Sequence, residues 1–88
     1  MASPEALNAA RHMALALLAK RAPDATICPS EVARAMGDKS DWRDWMPTVH
    51  AAIDQLLDEG RIRLSWKGRM LPARIGPYRI ARPPTAAE

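Results

Sequence analysis

A chain of 88 residues, 48% apolar and 26% charged, holds one globular domain with a modest core; it is neither disordered in composition nor long enough for two domains. No stretch approaches the roughly 18 apolar residues of a membrane span, the N-terminus is expected to carry no secretory signal, and the lone cysteine, Cys28, excludes an internal disulfide and fits a reducing, cytoplasmic setting. The net charge of +3 hides an asymmetry: residues 1–60 carry six basic and nine acidic side chains (net −3), and residues 61–88 carry seven basic and one acidic (net +6).

The first helix is predicted over residues 4–21. Ser3 can cap it, Pro4 suits its first position, and Leu7, Ala10, Ala14, Leu17 and Leu18 form one apolar stripe. Ala25–Cys28, bounded by Pro23 and Pro29, reads as a short strand or extended link. A second helix of about two turns starts at Pro29 or Ser30, turns Val32 and Met36 inward, and stops at Gly37. Asp38–Asp41 is a polar link, and Trp42–Met46 has the length of one helical turn. The third helix is expected from near Pro47 to Glu59, with Val49, Ala52, Ile53, Leu56 and Leu57 inward and Gly60 as its stop. Residues 61–67 alternate polar and apolar without exception, the sharpest strand signal in the chain. Ile62, Leu64 and Trp66 are expected in the core, with Arg61, Arg63, Ser65 and Lys67 outward. Gly68 turns the chain, a loop with Pro72 and Gly76-Pro77 follows, and Tyr78–Ala81 returns antiparallel to the first strand. Residues 83–88 are expected to form a frayed tail behind a domain spanning 1–82.

This order predicts an α+β winged helix-turn-helix: three helices, a short strand between the first two, and a C-terminal two-stranded hairpin as the wing. The competing arrangement, a three-helix bundle with a loose tail, conflicts with the alternation of residues 61–67.

The segments Cys28-Pro29-Ser30-Glu31-Val32-Ala33-Arg34, Trp42-Arg43-Asp44-Trp45-Met46-Pro47 and Gly60-Arg61-Ile62, followed by Lys67-Gly68 and Gly76-Pro77-Tyr78-Arg79, resemble the bacterial "domain of unknown function 3253" family. The resemblance runs from about Arg11 to Arg82. It implies a small bacterial protein with a winged-helix-like fold, and no activity. His50 departs from the family pattern, where an arginine is expected, and this weakens an anion-binding role for the start of the third helix.

Five features of the chain carry candidate chemistry. Arg63, Lys67, Arg69, Arg74 and Arg79 decorate the hairpin, and spaced cations on a ribbon can follow a phosphate backbone; the bland alternative is a charged edge that blocks strand-to-strand aggregation. The outward face of the third helix offers Thr48, His50, Asp54, Gln55, Asp58 and Glu59, and its carboxylates oppose ordinary major-groove reading. Ser30, Glu31, Arg34 and Arg43 are expected to form a structural polar network, Glu31 pairing with Arg34 and Arg43. Cys28 precedes a helix but has no base at a recognisable spacing, so a buried, inert thiol is expected. One cysteine and two scattered histidines give no metal-ligand spacing, and there is no phosphate-binding glycine loop. Trp42, Trp45 and Trp66 are expected to pack, any exposed one being free to stack on a base or anchor a partner. The expectation is a nucleic-acid-binding module of regulator type, not an enzyme, with no cofactor and no membrane contact. The alternative is a protein-interaction module, homodimeric or binding another chain.

Overall fold

The computed structural model describes residues 3–38 and 40–83. Lys39, in the expected polar link, and residues 84–88 of the expected tail lie outside the described residues.

The Ser3 hydroxyl accepts the Ala6 amide at 3.1 Å and starts α1 (Pro4–Ala19). The helix stops two residues before the expected Arg21, its last turn tightening as the Lys20 and Arg21 amides reach Leu17 and Leu18 carbonyls at 3.2 and 3.1 Å. The extended link condenses into a two-residue strand, β1 (Thr26–Ile27). α2 (Pro29–Met36) ends at Gly37 as expected. Trp42–Trp45 forms one 3-10 turn that runs directly into α3 (Met46–Asp58). At the end of α3 the chain reverses through Gly60 at φ +74°, and the Gly60 and Arg61 amides satisfy the Leu57 and Leu56 carbonyls.

The sheet is larger than a two-stranded wing. It has four antiparallel strands in the order β1-β4-β2-β3, with β2 at Arg63–Trp66, β3 at Arg69–Leu71 and β4 at Arg79–Ala81. β4 returns antiparallel to β2 as expected, pairing Leu64 with Ile80 and Arg63 with Ala81. β3 corrects the sequence reading, which placed a loop there. Lys67 (φ 51°) and Gly68 (φ 82°) both lie in the left-handed region, the signature of a tight two-residue turn that folds Arg69 directly back onto Trp66. The turn creates β3; its three residues carry no β-branched side chain and no strand signal of their own.

The core gathers Ala10, Ala14 and Leu18 from α1, Ile27 from β1, Val32 and Ala33 from α2, Val49, Ala52, Ile53 and Leu56 from α3, and Ile62, Leu64, Tyr78 and Ile80 from the sheet segment. Leu7, Leu17, Met36 and Leu57 pack at its margin. One expected member is missing: Trp66 is 37% exposed and does not join the cluster. Its position has the inward phase of Leu64, but it stands about 7 Å further along the strand, outside the core cluster that holds Leu64. Alternation fixes a side chain's face; the length of the covering layer decides whether that face is buried.

Candidate nucleic-acid interface

The register of the sheet sorts the cations of the wing by face, because residues directly opposite in antiparallel strands share a side. Thr26, Ala81 and Arg63 share one row of the face opposite Leu64, with Ala81 itself buried, and Ser65, Met70 and Arg79 share the next. Trp66 and Arg69 are paired on the opposite face. Lys67 sits in the turn. The five expected contact residues therefore do not converge on one surface.

Two of them are already engaged. Arg74 grips Asp54 of α3 with two hydrogen bonds of 3.0 Å each. Arg79 donates to the Thr26 hydroxyl at 3.0 Å and to the Thr26 carbonyl at 3.2 Å, fastening β4 to β1 across the sheet. A third arginine near the end of the domain, Arg82, donates to the Leu18 and Arg21 carbonyls at 2.9 Å each and so closes the C-terminus of α1. Arg63, Lys67 and Arg69 make no salt bridge or side-chain hydrogen bond among the described residues.

Part of the outward face of α3, with Glu59 at its C-terminal cap, is engaged inside the chain. Asp54 holds Arg74, Gln55 and Glu59 both accept from Arg11 of α1 (3.2 Å, and 2.6 and 2.8 Å), and His50 meets Tyr78. These ties, across 20 to 48 residues of sequence, had no sequence signal. Base reading through this helix would have to break them.

Tyr78 immediately precedes β4, and its hydroxyl lies 2.6 Å from His50 Nδ1. With neutral His50 protonated at Nε2, the hydroxyl donates to Nδ1. Burial holds the tyrosine proton well above its ordinary range. Burial also lowers the proton affinity of His50, the nearby Arg74 charge adds to this, and Asp54 opposes it. A histidine depressed in the folded state binds protons more readily once unfolded. Stability is therefore full above the unfolded value of 6.5 and falls as pH drops through it. The urea midpoint should fall between about pH 7 and pH 5.5, and His50→Gln should flatten that part of the profile. An unchanged slope in the variant would remove His50 as the cause.

The expected polar network around α2 is rearranged. Glu31 accepts from the Cys28 amide at 2.8 Å and pairs with Arg21 at 2.7 Å, not with Arg34 or Arg43. The amide bond first, and Arg21 with less force, hold its carboxyl below the ordinary range against burial. Arg34 and Arg43 stack on the Trp42 ring, their guanidinium carbons 4.6 and 4.5 Å from its centroid. Both cations thus lie over the indole, while Glu31 caps its own helix. The hydroxyl of Ser30 donates to Cys28 Sγ at 3.1 Å. Cys28 is only partly buried, where a buried thiol was expected.

Among the described residues no charged side chain is buried, and no group of three or more His, Cys, Asp or Glu could hold a metal ion. Among the described residues no helix is long and apolar enough to cross a membrane.

Three helices closed by a four-stranded antiparallel sheet, with a cation-bearing hairpin extending past the core, make this an α+β domain with the layout of a winged helix. Within that layout residues 7–83 match the family described as "Protein of unknown function (DUF3253)", and the chain belongs to that family. No curated protein matches the chain.

Proposed function

We propose that this domain binds nucleic acid through its wing, gripping phosphates with Arg63, Lys67 and Arg69. One observation carries the reading: from Arg61 to Pro83 the chain contains no carboxylate, and among the described residues these three cations have no internal partner, Lys67 and Arg69 at the tip of the hairpin and Arg63 at its base on the other face. Arg74 and Arg79 are engaged by Asp54 and Thr26 within the domain and are left out of the proposed contact set. The occupied face of α3 favours backbone binding over sequence reading, so the helix-turn-helix geometry acts here as a platform for the wing and not as a base-reading device.

Phosphate contacts release counterions, so affinity should fall with salt at a logarithmic slope of about −0.9 per contact on duplex DNA. Three contacts give a slope of about −2 to −3. Gel-shift titrations against salt should show that slope, and the combined substitution Arg63→Gln, Lys67→Gln, Arg69→Gln should abolish most of both slope and affinity. No binding at about 50 mM salt would remove the reading, and chain association by light scattering under those conditions would favour the protein-interaction alternative.

A further inference from the structure

The three tryptophans have different surroundings. Trp42 is stacked by two arginines, and Trp45 packs at the core margin against Gly37. Trp66 is 37% exposed, joins no core cluster, and has no stacked cation, although Arg69 stands directly across the strand pair from it. The exposed large hydrophobic residues among those described are Trp66, Met70 and Ile75, and all three fall within the carboxylate-free stretch that carries the wing cations. Two independent properties, positive charge without an internal partner (Lys67, Arg69) and uncovered apolar surface (Trp66, Met70), thus coincide in the β2–β3 hairpin, with Ile75 in the loop that follows it.

A partner matching both must offer an anionic backbone and flat apolar rings side by side. Single-stranded nucleic acid does so, because its unpaired bases present their faces. A duplex hides those faces in its stack and shows only base edges in the grooves. An anionic membrane offers charge and apolar depth, but the hairpin is not built to lie on one: Trp66 and Met70 project from opposite faces of the ribbon, so no single apolar side exists to bury.

We propose that Trp66 is a base-stacking residue and that the wing's partner is single-stranded nucleic acid. This rests on the phosphate-binding reading of the wing and adds the substrate class. Stacking is largely insensitive to salt, whereas the phosphate grip is not, so the two contributions separate experimentally.

Fluorescence anisotropy with a labelled oligonucleotide, single-stranded or annealed to its complement, provides the test. The wild-type domain should prefer the single strand. Trp66→Leu should weaken single-strand binding by roughly tenfold or more while leaving duplex affinity and the salt slope unchanged, and Trp66→Phe should restore most of the loss. Circular dichroism should show both variants folded, since Trp66 lies outside the core cluster. A Trp66→Leu affinity within about twofold of wild type, a preference for the duplex, or tighter binding to phosphatidylserine vesicles than to either oligonucleotide would each overturn the stacking proposal. Wild-type protein that binds neither oligonucleotide even at low salt would overturn the phosphate reading beneath it as well.

Discussion

Replacing Leu64 by alanine should lower stability by about 3 kcal/mol and the melting temperature by roughly 10–20 °C. Leu64 is fully buried and occupies the middle of the central strand β2, paired with Ile80 on one side and Leu71 on the other. Its side chain faces the helices, so the deletion leaves a cavity at the junction of the two layers, where neither can close in without breaking register. An 88-residue domain has a total stability of about 4–13 kcal/mol, so the variant should retain about 1–10 kcal/mol. Thermal denaturation followed by circular dichroism gives the answer. A loss under about 1 kcal/mol would mean the layers are looser than the packing implies.

The second large effect is expected at Gly37→Ala, for a different reason. Gly37 adopts an ordinary extended conformation (φ −117°), so backbone strain does not require a glycine there. Space does: an added methyl group would stand 2.6 Å from Asp41 Oδ1 and 2.7 Å from Trp45 Cδ1. Asp41 Oδ1 is the acceptor that holds the Asp38 amide at 2.7 Å, and Trp45 is the ring that seats the 3-10 turn against the core. Relieving the clash disturbs both, at a cost of about 2 kcal/mol. The control is Gly60→Ala, which meets nothing within 4 Å but forces a methyl-bearing residue to φ +74°, a strain of about 1 kcal/mol. Urea titrations should rank Gly37→Ala as the more damaging; the reverse order would show that the turn yields easily.

These contrasts mark what was readable in the chain and what was not. Helix positions were legible because local rules govern them: a serine cap, prolines at first positions, glycines at stops, and apolar stripes at helical spacing. The pairing of β2 with β4 was legible because the alternation of residues 61–67 and of 78–81 was clean. β3 was not, since a tight turn imposed it on three residues without strand character. Trp66 was misplaced because periodicity reports a direction and not the extent of the neighbouring layer. In the candidate site, the wing cations were identified by composition, but composition cannot tell an arginine that meets solvent from one that holds the fold. Arg74, Arg79 and Arg82 found acceptors on α3, β1 and α1, three elements made long before them in the chain. The Glu31 pairing failed for a similar reason: helix capping and Arg21 reached the carboxylate first.

The position of β4 also bears on biosynthesis. β1 pairs only with β4, and β4 joins it to β2, so residues 79–81 are the link between the early and late halves of the sheet. A nascent chain halted before residue 79 would hold three helices and a hairpin but no closed sheet. Leu64 and Ile27 would lack their common neighbour Ile80, and the carbonyls at the end of α1 would lack Arg82. The contacts that join the two halves of the sheet thus have high sequence separation and depend on the last strand in chain order.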